Sequence, residues 1–317
     1  MSIITTLTKK IIGRSPLLHN LVYTQYIQGN YFKAAALMLW MLPMKNLVKP
    51  DDFVKHFDII TTREYYEELQ KLLHIAKVDG FEVVRTGKKH DGGYILLDDF
   101  HDGGIAYSFG ISSDVSWDKD MVSRGYDIFM YDHTINGLPE ENSHFHWSRF
   151  GISDGVTQDN RLKTLDELIH ANHHENTRNM ILKMDVEGAE WGFLSQVSSE
   201  TLSQFGQMTF EFHGIPGHTN PELVLEVFRK LNRTHQLVHI HANNNGHYIS
   251  FGHKKFCDLF EFTYVLRSKY SFIDDYDVNL PLSIDDVNVP SLPEIILGRW
   301  NEYAQFGEKV TVHVKAL

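Results

Sequence analysis

Between Gly104 and Asn244 the chain repeats one pattern that restricts its fold more than any other feature. Short apolar runs, GIAYSFG (104–110), YDIFMYDH (126–133), HFHWSRFGIS (144–153), MILKMD (180–185), QMTFEFHG (207–214) and LVHIHANN (237–244), alternate with stretches of helical spacing such as LKTLDELIHAN (162–172) and NPELVLEVFRKLNR (220–233). This order predicts an α/β fold, a mostly parallel sheet with helices on both faces. Ligands of such sheets bind beyond the carboxyl ends of the strands. Upstream, TTREYYEELQKLLHIAK (61–77) has helical spacing, and FEVVRTGKKHDGGYILLDD (81–99) reads as two strands around a tight loop at His90–Gly93. The expected organisation is an N-terminal helical appendage over 1–77 and a core domain over 78–317. The tail of that domain, rich in Pro and Asp from about Asp274, reads as an extended cover.

Composition narrows the function. With 30 Lys plus Arg against 41 Asp plus Glu, the net charge of -11 argues against a face that binds phosphate backbones, so nucleic acid is not an expected partner. A single cysteine, Cys257, closes no internal disulfide and fits a reducing compartment, which makes the cytoplasm the expected location. The N-terminal stretch lacks a signal-peptide core, and AAALMLWML (34–42) is far shorter than the roughly 20 apolar residues of a spanning helix. No transmembrane segment is expected, and the N-terminal helices are compatible with peripheral contact with a membrane or a partner.

The stretch LKMDVEGAEW (182–191) crowds Asp185, Glu187 and Glu190 around Gly188 directly after an apolar run. Glu187 and Glu190 read as acids of a first helical turn, where the dipole favours them, and are expected to be structural. Asp185 stands where the strand stops, in the position of a ligand-facing residue.

A second half of a site lies upstream. AYSFGISSD (106–114) ends a strand in a turn where backbone comes close to a ligand, with Gly110, Ser112 and Asp114 as candidate contacts. Asp132 ends the next strand about twenty residues later, the spacing at which an acid grips ribose hydroxyls. Gly151 and Ile152, at the following strand end, are expected to flank a purine. The dinucleotide fingerprint and the Gly-Lys-Ser/Thr triphosphate loop are both missing, so an adenosine without a polyphosphate cradle is expected, and S-adenosylmethionine is the common one.

With FGISSDVSWD, YDH, TLDELI and KMDVEGAEW in this order, the chain resembles the FkbM-type methyltransferases, a branch of the class I S-adenosylmethionine-dependent enzymes. Lys183 to Glu190 matches the family pattern K-x-D-x-E-G-x-E. HDGGY (90–94) and HANN (241–244) resemble motifs of members that act on sugars or glycans, and the resemblance runs from about 80 to 290. Many members carry a second glycine two positions after Gly110, where this chain has Ser112. The resemblance implies a seven-strand Rossmann-like core, bound S-adenosylmethionine, and O-methylation of a carbohydrate hydroxyl on a sugar nucleotide or glycan.

Such an acceptor is a poor nucleophile, so the site needs a general base or a divalent metal on the attacking oxygen. Glu211 and His213, two apart on a strand, share a face, and His241 repeats the arrangement one strand later in sequence. Asp185, Glu211, His213 and His241 are thus expected to converge, either on Mg, Mn or Fe(II) or as a hydrogen-bonding set with a histidine base. Rival readings are a metal-dependent glycosyltransferase using Asp118 and Asp120 or Asp275 and Asp277, a methyltransferase of a polyketide-type small molecule, and a non-catalytic adaptor.

Overall fold

The computed structural model describes residues 63–156, 159–216, 218, 220–251, 253–303 and 310–313. Ile60–Thr311 make one compact unit. In chain order its main elements are α1 (Arg63–Leu72), β1 (Val83–Thr86), β2 (Tyr94–Leu97), β3 (Gly104–Phe109), α2 (Ser116–Ser123), β4 (Tyr126–Tyr131), β5 (Phe145–Ser148), α3 (Leu165–Ala171), β6 (Met180–Asp185), α4 (Glu190–Gln196), β7 (Phe205–His213), α5 (Pro221–Thr234), β8 (His235–Ala242) and β9 (Leu259–Leu266). Among the described residues no helix is long and apolar enough to cross a membrane.

Seven strands form the central sheet in the order β8-β9-β7-β6-β3-β4-β5. Pairing is parallel from β7 through β6, β3 and β4 to β5, whereas β9 runs antiparallel to both its neighbours. The mostly parallel α/β sheet expected from the alternation is therefore present. HFHWSRFGIS divides, because only Phe145–Ser148 joins the sheet while Gly151 and Ile152 pair with Leu162 and Lys163. β9 has no counterpart among the expected runs. It wedges between β7 and β8 and brings Glu261 into the sheet.

The alternation within β7 decides what covers each face. Met208, Phe210 and Phe212 point one way and are buried, and the two Phe rings meet Phe262 and Tyr264 of β9 and Phe228 of α5, with ring centroids 5.1–6.3 Å apart in the pairs Phe210–Phe212, Phe212–Phe228, Phe212–Phe262 and Phe210–Tyr264. Such aromatic packing in a water-free layer is a large part of a core's stabilisation. Gln207, Thr209 and Glu211 point the other way and are equally buried. Buried polar groups need partners. Gln207 finds them in the β1–β2 hairpin, since its Oε1 accepts from Leu97 N at 2.8 Å and its Nε2 donates to Leu97 O at 3.1 Å. Thr263 of β9 donates to Ile95 O in the same way. Trp117 and Met121 of α2 cover this face nearer β3 and β4, so helices lie on both sides.

Helix α1, placed by its sequence in the 1–77 appendage, packs within the Ile60–Thr311 unit, and residues 1–62 of that expected appendage lie outside the described residues. Tyr66, Leu69 and Leu73 are fully buried, Asn232 of α5 donates to Leu72 O, and Trp300 donates to Leu73 O. Helix α3 is capped by Thr164, which forms a reciprocal capping box with Glu167.

The β6–α4 connection is a tight turn with Glu187 at φ 56° and Gly188 at φ 98°. Glu190 holds it. Its buried Oε1 accepts from Val186 N at 3.1 Å and Gly188 N at 3.3 Å, and lies 3.0 Å from His213 Nδ1. The expectation of a structural Glu190 agrees with these bonds. Glu190→Ala is expected to lower the unfolding free energy by on the order of 3 kcal/mol, because it strands two amides and a half-buried imidazole. Glu190→Gln keeps an acceptor oxygen and should cost less in denaturant titration; an alanine variant as stable as the parent would contradict this role.

Candidate active site

Two strand ends are pressed together at the carboxyl edge of the sheet. Gly110, at φ 77°, lies so near β6 that a Cβ there would collide with Asp185 O. Only glycine accommodates both the left-handed backbone and this approach. Ser112, standing where many family members have glycine, also adopts positive φ, at 49°. The turn shape is thus kept by a serine held in a region that L-residues rarely occupy.

Asp132 fixes this turn. Its Oδ2 accepts from Ile111 N at 3.0 Å and Ser112 N at 2.8 Å, and its Oδ1 accepts from Thr134 N and Oγ1 at 2.8 and 2.6 Å. Burial pushes the carboxyl up, but these bonds prevail and hold it below the ordinary carboxylate range. Asp114 accepts from Ser116 N at the start of α2 and pairs with Lys88 at 3.0 Å, tying the loop between β1 and β2 to the turn. The same loop reaches the C-terminal segment, where His90, at φ 64°, has Nδ1 2.8 Å from Val287 O.

A cavity of about 510 Å³ opens over this turn. Its wall includes Gly110 to Asp114, Asp132, Gly151, Ile152, Lys183, Asp185 and Glu187. All six residues predicted for cofactor contact, Gly110, Ser112, Asp114, Asp132, Gly151 and Ile152, line it together with Asp185.

Beyond Asp185 a charged row crosses the sheet in register. Asp185 of β6 pairs with Glu211 of β7, Glu211 with Glu261 of β9, and Glu261 with His241 of β8. Residues paired in this way project from the same face. One carboxylate oxygen each of Asp185 and Glu211 and one nitrogen of His213 lie within 4.8 Å of one another, a spacing that can hold a metal ion. Tyr94 donates to Asp185 Oδ2 at 3.0 Å and Asn243 to Glu211 Oε1 at 3.2 Å. His213 Nδ1 faces Glu190, while Nε2 lies 3.5 Å from Glu187 and 3.7 Å from Glu211. Burial pushes Glu211 well above its ordinary range, and Asp185 and Glu261 push it further. For His213, burial opposes the charge, but the Glu190 hydrogen bond and the surrounding carboxylates outweigh it and raise the imidazole to about 10.

His241 does not join that trio. The sequence places it one strand after β7, but antiparallel β9 intervenes, and Glu261 takes His241 Nδ1 at 3.0 Å while Glu294 stands 3.6 Å from Nε2. The expected convergence of four residues is therefore three, with His241 as the counter-charge of Glu261. That carboxylate escaped the sequence reading, although LFEFTYVL alternates Phe260, Phe262 and Tyr264 with Glu261 and Thr263, a strand pattern in itself. Asn244 is also occupied, since its amide clasps the backbone of Val289, Leu292 and Pro293. Of the rival Asp pairs, Asp118 is buried in α2 and Asp277 is bound to Arg299. Neither lines the cavity.

The methyltransferase FkbM domain matches residues 59–242, which include the hairpin, the turn at Gly110 and all three residues of the Asp185 trio. No curated protein matches the chain at a significant level. Among solved structures, a putative hemolysin from Streptococcus thermophilus is similar at 10% identity over 56% of this chain and 72% of its own, with a TM-score of 0.29, a likeness too slight to bear on function. The family match covers more than half of the 317 residues, and the chain belongs to the FkbM methyltransferase family.

Proposed function

We propose that this protein is an S-adenosylmethionine-dependent O-methyltransferase whose acceptor is a carbohydrate hydroxyl, on a sugar nucleotide or a glycan, with a divalent cation assisting. The observation that carries the reading is continuity: one cavity runs from the turn at Gly110 and Asp132 to Asp185, the first member of the acidic row. Methyl transfer needs sulfur, methyl carbon and acceptor oxygen in line, and a cavity with the cofactor turn at one end and acids at the other suits that requirement. The adenosine would lie against Gly151 and Ile152, with its ribose on Asp132 in place of the local bonds from Thr134. The carbohydrate acceptor rests on the resemblance of HDGGY and HANN to sugar-modifying members of the family.

The choice between cation and histidine base follows from the surroundings of His213. Both of its ring nitrogens already face carboxylates, so it is poorly placed to take a proton from an acceptor. His241 is engaged in the same way. Two carboxylates and one imidazole within ligand distance suit Mg, Mn or Fe(II). A cation there would stabilise negative charge on the acceptor oxygen. Tyr94 would steady Asp185, and Glu190 would direct His213 Nε2 towards the ion. The acidic net charge and the single cysteine support a cytoplasmic protein without a nucleic acid partner.

Asp132→Ala is expected to weaken S-adenosylhomocysteine by at least about tenfold in calorimetry, the usual worth of a charge-assisted hydrogen-bond pair. Unchanged affinity would remove Asp132 from the ribose. Chelator should abolish methyl transfer to the acceptor, and a divalent ion should restore it. Titration of the chelated protein with Mn should release protons, with affinity rising as pH rises, because His213 must lose the proton its carboxylate neighbours stabilise before it can ligate. Asp185→Asn should raise the Mn concentration required; full activity in chelator would leave the metal without a role.

A further inference from the structure

The cavity has a second buried charge, of opposite sign, which the family match does not explain. Lys183 lies two residues before Asp185 on β6 and is 6% exposed. Its Nζ donates to Gly110 O at 3.1 Å and stands 5.3 Å from the centre of the Tyr94 ring. An ammonium carries three donors, and among the described residues this is the one hydrogen bond that Lys183 makes. No carboxylate among them lies within 4.0 Å of it; Asp118 of α2 is its nearby counter-charge, close enough for Lys183 to offset part of the burial that pushes that carboxyl up, yet not in contact with the ammonium. Lys88, the other lysine in the wall, is half exposed and already paired with Asp114.

A buried ammonium that spends one of its three donors on the protein and touches no carboxylate is under-solvated, and a cavity that admits an anion supplies the missing contact. Asp185 and Lys183 project from the same face of one strand about 7 Å apart. The acid faces the end where the carboxylate row begins, and the lysine sits under the turn at Gly110. A ligand with a cationic centre joined by a short chain to a carboxylate matches that order of charges. We propose that Lys183 binds the α-carboxylate of the amino-acid part of S-adenosylmethionine, leaving the sulfonium on the Asp185 side. This rests on the methyltransferase reading and adds to it the residue that selects the amino-acid end of the cofactor.

The test is calorimetry on the full-length protein with three ligands: S-adenosylhomocysteine, its decarboxylated analogue S-adenosyl-3-thiopropylamine, and 5′-methylthioadenosine, which lacks the amino acid. Wild type is expected to bind S-adenosylhomocysteine at least about tenfold tighter than the decarboxylated analogue, as a charge-assisted bond requires. In Lys183→Met that gap should close to about twofold, with the affinity for 5′-methylthioadenosine unchanged. Should the methionine variant not fold, Lys183→Gln, which can still donate to Gly110 O, carries the same comparison. Equal affinity of wild type for the two homocysteine-type ligands overturns the proposal, and so does a gap of the same size in the variant. Equal loss of all three ligands in the variant also overturns it, assigning Lys183 to the turn alone. A wild type that binds none of the three defeats the methyltransferase reading together with this one.

Discussion

A polar face buried inside a sheet must be answered group by group, and most of this structure follows from how β7 is answered. Its apolar face is closed by aromatic rings of β9 and α5, with no directional demand. Its polar face demands donors and acceptors at fixed places. The hairpin supplies them at Gln207 and Thr263 by lending its backbone. At the strand end that supply is not enough for Asp185, Glu211 and Glu261 side by side, each of which receives one or two protein hydrogen bonds. Carboxylates held so close call for a proton or a cation. A fold that answers the polar face of this strand with hairpin backbone thus gathers its carboxylates at the end where chemistry is expected.

The same edge explains why cofactor turn and acidic row cannot be treated separately. The near contact of Gly110 with Asp185 O joins β3 to β6, and Asp132 holds the turn through Ile111 and Ser112. Tyr94 links the hairpin to Asp185, and Lys183 links the turn to the same strand. Preorganisation of this kind sets the geometry before a ligand arrives, which is how positioning contributes to a displacement between two bound molecules.

Much of this was legible in the chain itself. Regular alternation of short apolar runs and helical stretches was enough for the α/β sheet, and strand-end positions were enough to bring Gly110, Asp132, Ile152 and Asp185 to one cavity. Glu211 and His213 were legible because a period of two is a strong constraint. His241 was not, because adjacency in sequence differs from adjacency in a sheet, and β9, later in the chain, lies between β7 and β8. Lys183 showed only as one letter of a motif. Its single hydrogen bond, to Gly110 O, depends on three-dimensional distances that no spacing encodes. Ser112 illustrates a limit of another kind, since its sequence departs from the family while its backbone keeps the positive φ.

Because the charged row is built from four strands in register, its integrity is a matter of counting residues. Side chains on a strand alternate, so one residue inserted or deleted within β9 would turn Glu261 into the aromatic layer and bring Phe260 or Phe262 to face Glu211 and His241. Point substitutions can accumulate along β7, β8 and β9 far more readily than length changes. Across descendants of this chain, insertions should therefore gather in the connections beyond these strands, with the lengths of the strands themselves held constant.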